Sequence, residues 1–256
     1  MIHSSAIIDP TARIADDVTI GPFSIIGPDV KIGRGSVIGS HVVVKGPTTI
    51  GKNNQIFQFA SVGEDPQDKK YQGEATRLEI GDNNVIREGA TLNRGTAQDL
   101  GVTSIGNDNL IMAYVHVAHD CVVKNNTILA NNVALAGHVT VEDYAILGGY
   151  TLVHQFCVIG PHAFTAMGSV LPKDVPPYVL VSGHMAKPFG LNVEGLKRRG
   201  FSTGIIRDLR RAYKLIYKTG VTIEQASQQM RALNPDSDEI AVLADFIEKS
   251  QRGIVR

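Results

Sequence analysis

Histidines concentrate in one stretch of the sequence, where His116, His119, His138 and His154 are four of the eight in the chain. Imidazole titrates near neutral pH, which makes histidine the commonest general base in enzymes. Asp120 directly follows His119 and could orient or polarise its ring. The residue types therefore predict a general base here, provided that the fold gathers these side chains.

Two other interpretations of the histidines stay open. They could be incidental surface residues, or they could bind a metal ion. Neither a cysteine nor a pair of carboxylates joins them at the spacing of metal ligands, so we predict no metal site.

A six-residue repeat decides how the histidines are positioned. Aliphatic residues recur every sixth position in three blocks, which begin at Ile8, Ile80 and Ile105. A small or β-branched residue follows four positions later, and glycine often comes directly after the aliphatic residue. Neither the helical period of 3.6 nor the strand period of 2 explains this spacing, whereas hexapeptide repeats are typical of a parallel β-helix. We predict a mainly β fold, a triangular prism in which three hexads supply the three strands of each coil.

The length of a coil brings the histidines together. Val117, Leu135 and Val153 are each three hexads apart and should stack on one side of three successive coils, and each has a histidine close to it in sequence. Cys121 and Cys157 occupy the small inward position two coils apart. Strand spacing separates them by roughly 9–10 Å, which is too far for a disulfide. We predict that both cysteines fill the core and that neither is a nucleophile.

Two polar loops at 63–79 and 93–104 interrupt the repeat, and the second shifts the register by one residue. We assign 1–190 to the β-helix domain and 191–256 to a C-terminal α-helical domain. One helical face carries Ile205, Leu209, Tyr213 and Ile216, a capping box begins at Thr222, and a further helix covers Ser237 to Ser250. Eight basic residues lie between Lys197 and Lys218 against one acid, Asp208. They are either a solvated helix face or a dock for an acidic protein or a phosphate-bearing ligand.

Composition limits the partners. Lys+Arg and Asp+Glu both total 25, so net charge favours neither nucleic acid nor a membrane surface. We see no signal peptide and no apolar run long enough to span a bilayer, and two free thiols fit a reducing compartment. The expected location is therefore the cytoplasm.

Several segments resemble the bacterial UDP-N-acetylglucosamine O-acyltransferases, which catalyse the first step of lipid A biosynthesis. They are HVAHDCVV at 116–123, LANNVALAGHV at 129–139, LVHQFCVIG at 152–160, KDVPPYV at 173–179 and NVEGLKRRGF at 192–201. The resemblance also covers the loop QDKKYQGEAT at 67–76 and RGT at 94–96. It implies a left-handed β-helix and a homotrimer, with no cofactor beyond the phosphopantetheine of acyl carrier protein, which carries the (R)-3-hydroxyacyl donor. The implied acceptor is the 3-hydroxyl of UDP-N-acetylglucosamine.

The resemblance also implies site residues. His119 matches the family's base, Asp120 would hold its imidazole, and the N–H of Gly137 matches the oxyanion donor. The expected substrate-binding residues are Gln67, Asp68, Lys70, His116, His138, His154, Gln155, Asn192, Glu194, Arg198 and Arg199. The basic C-terminal helices would receive the acidic acyl carrier protein.

Two positions bear on specificity. Met167 falls where the family sets acyl-chain length, and methionine in place of glycine predicts a ten-carbon rather than a fourteen-carbon chain. Ordinary packing of Met167 is the other interpretation. Asn93 stands where the family usually has histidine before RGT, which leaves open an acceptor with an amine at the 3-position.

Other functions remain as alternatives. The related N-acyltransferases carry an additional N-terminal domain, whereas the hexads here begin by Ile8. A coenzyme A-dependent acetyltransferase would not need the basic helical region. A non-catalytic β-helical scaffold and a metal protein similar to β-helical carbonic anhydrases are the interpretations from other classes.

Overall fold

The computed structural model describes all 256 residues and shows the predicted prism, in which three sheets of short parallel strands form the faces. The first sheet contains Ile7–Ile8, Ile25–Ile26, Val43–Val44, Ser61–Glu64, Thr91–Asn93, His116–Val117, Ala134–Leu135, Leu152–Val153 and Val170–Leu171. The second sheet contains Arg13–Ile14, Val30–Ile32, Thr48–Ile50, Arg77–Ile80, Val102–Ile105, Val122–Val123, Thr140–Val141 and Val158–Ile159. The third sheet contains Thr19–Ile20, Val37–Ile38, Gln55–Ile56, Val85–Ile86, Leu110–Ile111, Ile128–Leu129, Ile146–Leu147, Phe164–Thr165, Val179–Ser182 and the antiparallel Lys187–Leu191.

Turns join the sheets at three edges of the prism. We call the turns after the first, second and third sheets the first, second and third corners. Most of these turns contain a non-glycine residue at positive φ, such as Asp120, His138 and Phe156 at the first corner. The glycines directly after the aliphatic residues are required by the close packing of neighbouring coils. A β-carbon on Gly33 would lie 2.6 Å from the carbonyl oxygen of Gly51, so the close approach of neighbouring coils excludes a side chain there.

Strand register gives the length of each coil. Leu135 pairs with Val153, three hexads later as expected. Ile50 pairs with Ile80, five hexads later, so the first loop adds the length of two hexads to its coil. Leu92 pairs with Val117, so the second loop lengthens its coil by one hexad and one further residue. The one-residue shift predicted for 93–104 corresponds to this further residue. The loop accommodates it outside the strands, so the strands before and after the loop stay in register.

The prism interior consists of the repeated aliphatic residues, and the largest of them, such as Leu129 and Leu135, are fully buried. The small inward residues are also buried, and their polar atoms are paired. The hydroxyl of Ser24, for example, donates to the carbonyl of Gly39 at 2.7 Å and accepts from the N–H of Val42. The inner column therefore tolerates serine because its hydroxyl bonds to the neighbouring coil.

Four helices follow the prism: α1 (Val193–Arg198), α2 (Thr203–Lys218), α3 (Ile223–Leu233) and α4 (Asp238–Lys249). The predicted capping box at Thr222 begins α3, and Ser237 and Ser250 flank α4 as expected. The sequence pattern did not identify α1, which is shorter than two turns. None of the four helices has the length and apolar character needed to cross a bilayer.

His162 joins the helical region to the second corner. Its ring stacks between Tyr144 and Tyr178 with centroids 4.8 and 5.8 Å away, and Phe201 meets it edge-on at 4.9 Å. Burial, followed by the charge of Arg199, lowers the pKa of His162 to about 4. The ring is therefore neutral in the folded chain at neutral pH.

This low pKa predicts a pH-dependent stability. Free histidine titrates near pH 6.5, so between about pH 6.5 and 4 the unfolded chain binds the extra proton and stability falls as the pH falls. We expect His162→Phe, which can keep the stack, to show a smaller loss of urea midpoint between pH 7 and 4.5 than the unmodified chain. Equal losses in the two proteins would contradict this assignment.

Candidate active site

The first corner places His119 in a short chain of hydrogen bonds. Nδ1 of His119 lies 2.8 Å from Oδ2 of Asp120, which is 3% exposed. Thr96 donates to the same carboxylate from its hydroxyl at 2.7 Å and from its N–H at 2.9 Å. Thr103 fixes the backbone by accepting from the N–H of Asp120 at 2.8 Å. Because an ionised carboxylate only accepts, a neutral His119 ring carries its hydrogen on Nδ1 and presents its lone pair at Nε2.

Gly137 lies directly against this imidazole. A β-carbon added to Gly137 would lie 2.5 Å from Cε1 and 2.7 Å from Nε2 of His119. The N–H of Gly137 donates no hydrogen bond within the chain. A basic nitrogen and a free backbone donor therefore lie side by side, which is the pairing that acyl transfer needs.

A second histidine completes the cluster. The ring of His138 meets that of His119 edge-on at 5.1 Å and stacks on Phe156 at 4.4 Å. Its Nδ1 lies 2.7 Å from Oδ2 of Asp99, in the second loop. Two imidazoles are thus each held by a carboxylate at the same corner.

His116 lies on the outer face of the adjoining strand, where its Nδ1 is 2.8 Å from the hydroxyl of Thr91. Burial, followed by the nearby His119, lowers the pKa of His116. His116 is therefore suited to act as a neutral hydrogen-bonding group beside His119.

The cluster has partial metal-binding character, which the sequence spacing did not indicate. Ligand atoms of His119, Asp120 and His138 all lie within 4.8 Å of one another. However, Nδ1 of both rings faces a carboxylate, and Oδ2 of Asp120 already accepts from His119 and Thr96. Only the two Nε2 atoms remain uncommitted, fewer than the three protein ligands of a catalytic zinc site.

The cysteines are unsuited to chemistry. Cys121 and Cys157 are buried and unpaired. Burial raises the pKa of Cys121 to about 12 and that of Cys157 to about 11. Because the thiolate is the reactive form, both side chains are poor nucleophiles at neutral pH.

Known proteins match the whole chain. The family described as "Udp N-acetylglucosamine O-acyltransferase; Domain 2" matches residues 174–255, and the bacterial transferase hexapeptide family matches 11–46 and 103–137. The acyl-[acyl-carrier-protein]–UDP-N-acetylglucosamine O-acyltransferase of Thiobacillus denitrificans is 58% identical over 255 residues, covering 100% of this chain and 99% of that protein. The chain belongs to the UDP-N-acetylglucosamine O-acyltransferase family. The family predicted from the motifs is thereby confirmed.

Solved structures of UDP-N-acetylglucosamine O-acyltransferases have the same fold. LpxA from Acinetobacter baumannii is 54% identical with a TM-score of 0.98, covering 100% of this chain and 99% of its own. The UDP-N-acetylglucosamine acyltransferase of Francisella novicida is 46% identical with a TM-score of 0.98, covering 100% and 94% of the two chains. The O-acyltransferase fold therefore extends over prism and helices alike.

Many of the residues expected from the O-acyltransferase resemblance share the first corner. His119, Asp120, Gly137 and His138 make direct contacts there, and His154 and Gln155 follow the strand of the next coil. Gln67, Asp68 and Lys70 lie in the first loop, which leaves the same corner two coils earlier. The backbone N–H of Lys70 donates to Asp68 at 2.9 Å, which shapes the loop.

The remaining expected residues lie at other corners. Arg199 sits over the Tyr144 ring at 4.5 Å, and Asn192 donates to the carbonyl of His162, so both belong to the second corner. Glu194 and Arg198 lie in the intervening α1, where Glu194 pairs with Lys197 at 3.0 Å. Met167 is 83% exposed at the third corner. One copy of the chain thus divides the expected site among its three corners.

Several residues of the cluster were not predicted. Thr96, Asp99 and Thr103 hold Asp120 or His138. Thr96 and Asp99 lie in the second loop, and Thr103 lies in the strand Val102–Ile105 that follows it. For Thr96 the sequence contained a partial indication, because this residue belongs to the RGT segment at 94–96 that resembles the family. Asp99 follows no repeat, and only the folded loop brings it to His138. Thr103 is the buried inward residue of its strand, two positions before Ile105, so the repeat itself places it beside Asp120.

Proposed function

We propose that the chain transfers an (R)-3-hydroxyacyl group from acyl carrier protein to the glucosamine 3-hydroxyl of UDP-N-acetylglucosamine, the first step of lipid A biosynthesis. The observation that carries the proposal is the contact between His119 and Gly137, within a chain that matches O-acyltransferases over its whole length. No cofactor is needed beyond the phosphopantetheine that presents the acyl group.

The proposed reaction uses the free Nε2 of His119. This nitrogen takes the proton of the acceptor hydroxyl as its oxygen attacks the thioester carbonyl. The N–H of Gly137 donates to the oxyanion of the tetrahedral intermediate. The intermediate then breaks its C–S bond, the electron pair leaves with sulfur, and His119 returns the proton to the thiolate. Asp120 keeps the imidazole oriented and supports its transient positive charge.

A metal-dependent hydrolytic or hydratase activity is the second candidate, because ligand atoms of His119, Asp120 and His138 lie within 4.8 Å of one another. It would require Asp120 to exchange its hydrogen bonds for a metal ion, since only the two Nε2 atoms are uncommitted. The two functions differ in their response to a chelator. We expect acyl transfer to continue at the same rate after exhaustive dialysis against EDTA, whereas a metal enzyme would lose its activity.

Assembly as a homotrimer would unite the corners. The outward residues of the second sheet are polar in its first coils, with Arg13, Lys31, Thr49, Glu79 and Ser104 in register. The outward residues of the other two sheets are largely apolar; they include Ile7, Ile25, Val43 and Leu152 on the first, and Val37, Val85, Leu110, Ile128, Ile146 and Phe164 on the third.

A closed ring of three copies explains this difference between the faces. Each prism would apply its first face to one neighbour and its third face to the other, and leave the polar face to solvent. His119 would then face a neighbouring copy, which could supply residues from another corner. Sedimentation at three times the chain mass of 27.5 kDa is the expected result.

Acyl carrier protein is the proposed partner of α2. Arg207, Arg210, Arg211, Lys214 and Lys218 all lie on this helix, and its acid Asp208 is 7% exposed and pairs with Arg207 and Arg211. A row of cations suits an acidic protein, since complementary charge speeds encounter.

Asn93 stabilises the first loop, and this role is relevant to whether the acceptor carries a hydroxyl or an amine at the 3-position. Its side-chain amide donates to the carbonyls of Glu64 and Asp65 at 3.3 and 2.7 Å, and the residue is 2% exposed. Asn93 therefore holds the start of the first loop in place. We propose that asparagine at this position does not alter the choice of acceptor, which remains the 3-hydroxyl. Mass spectrometry of the product distinguishes the ester from the amide that a 3-amine would give.

Chain length provides a further prediction. With Met167 in the acyl slot, we expect faster transfer of 3-hydroxydecanoyl than of 3-hydroxytetradecanoyl groups, because the thioether fills the space of the last carbons. Met167→Gly should raise the fourteen-carbon rate relative to the ten-carbon rate by about tenfold or more, since each buried methylene contributes about 0.8 kcal/mol. The measurement is product mass from competing donors. Faster tetradecanoyl transfer by the unmodified chain would refute the preference.

A further inference from the structure

The C-terminal tail folds back onto the end of the prism. The N–H of Asp174 donates to the carbonyl of Gly253 at 3.0 Å, and the N–H of Val255 donates to the carbonyl of Asp174 at 2.9 Å. The carboxylate of Asp174, which is 1% exposed, accepts from the hydroxyl of Ser250 at 2.6 Å and from the N–H of Val158 at 2.8 Å. The tail is therefore fixed to the coil that follows Leu152–Val153.

This attachment brings Arg252 to His154. Nη2 of Arg252 lies 3.2 Å from Nδ1 of His154 and 3.3 Å from the carbonyl oxygen of Pro172. A guanidinium group has five N–H donors, no acceptor and a permanent charge. It can bond to Nδ1 only if that nitrogen presents a lone pair. The hydrogen of the neutral His154 ring is then on Nε2.

A competing contact favours the other tautomer. Nδ1 of His154 also lies 3.2 Å from the carbonyl oxygen of Gln155, which would need a hydrogen on Nδ1. Such a hydrogen would meet the N–H of Arg252. The bond from the guanidinium is charge-assisted and stronger than a neutral one at the same distance, so it decides the tautomer.

We propose that Arg252 is a positioning residue, which holds His154 as the tautomer that donates from Nε2 to an oxygen of the bound acceptor. The acceptor chemistry that such a donor fits is a hydroxyl or phosphate oxygen, as in a nucleotide sugar. The assignment rests on the proposed function through the role of His154 in binding UDP-N-acetylglucosamine, and it extends that site to a residue 98 positions later in the chain.

The kinetic test replaces Arg252 with a side chain of similar length that cannot donate. Arg252→Met should raise the KM for UDP-N-acetylglucosamine by roughly tenfold with kcat changed less than twofold, as expected when a charge-assisted bond behind a binding group is lost. Arg252→Lys keeps a donor and should recover part of the affinity. Arg256→Met is the matched control, because Arg256 belongs to the same tail but lies beside Tyr217, and it should leave KM unchanged.

Two further measurements separate positioning from folding. In the background His154→Ala, Arg252→Met should have no additional effect on KM, since the residue acts through His154. The ¹⁵N spectrum of the histidine-labelled chain should show Nε2–H for His154 in the unmodified protein and a tautomer mixture in Arg252→Met.

The outcomes distinguish the inference from the proposed function. An unchanged KM in Arg252→Met, an additive effect in the double variant, or an Nδ1–H signal for His154 would each overturn the role of Arg252. An unmodified chain that fails to acylate UDP-N-acetylglucosamine would instead overturn the proposed function, while the NMR result would still decide the tautomer.

Discussion

Replacing His119 with alanine is expected to reduce acyl transfer by about 10²–10⁴-fold, the range typical for removing a general base. The variant retains Gly137 and the loops, so binding of UDP-N-acetylglucosamine should change little. The loss should therefore appear in kcat rather than in KM. We would measure kcat and KM from steady-state rates with an acyl carrier protein donor, and the affinity for the nucleotide sugar by calorimetry.

His3→Ala is the matched control for this experiment. His3 lies exposed in an N-terminal turn, where its only side-chain partner is Ser5 at 2.9 Å, and its loss should leave the rate unchanged. A His119→Ala enzyme that keeps more than a tenth of its turnover would remove the base from the mechanism. Loss of nucleotide-sugar binding in the same variant would show that the ring serves binding instead.

Gly137→Ala should damage the site almost as severely as removal of the base. The new methyl group would begin 2.5 Å from the His119 ring, far inside contact distance, so the imidazole must move away from Asp120 or the turn must shift. Either response disturbs the proposed base and the proposed oxyanion donor together. We expect kcat to fall by about 10²–10³-fold, the cost of losing one oxyanion donor in other acyl-transfer enzymes.

Gly149→Ala tests whether such a loss is specific. Gly149 occupies the same position of its turn at the third corner, but a β-carbon there would meet only the carbonyl oxygen of Asn131, at 3.3 Å. This control should keep both turnover and thermal stability. A Gly137→Ala enzyme with normal turnover would mean that neither the imidazole position nor the N–H of Gly137 limits the reaction.

The hexad spacing was sufficient to predict the prism and the corner that gathers the histidines. Few folds have a hexapeptide period. In a coil of three hexads, residues that are 18 positions apart in sequence stack on neighbouring coils. Helix α3 and helix α4 were predictable for a similar reason, because their capping residues Thr222 and Ser237 have local partners.

The supporting residues of the site could not be predicted in this way. Asp99 lies in an insertion that follows no period, and Arg252 reaches His154 only because the tail returns to the prism after four helices. Such contacts depend on the path of loops, which local sequence does not encode. The left-handed sense of the winding, taken from the family resemblance, stays a prediction.

The attachment of the tail at Asp174 also affects self-association. A stack of parallel strands ends in unpaired backbone groups, which can recruit strands from other molecules. The C-terminal helices and the tail cover that end, whereas at the opposite end Ile8 and Ile14 are only half-buried and a single bridge from Ile2 to Ile20 extends the sheet. End-to-end addition of coils is therefore blocked at one end of the prism. A filament cannot grow when each molecule has only one end with unpaired backbone groups.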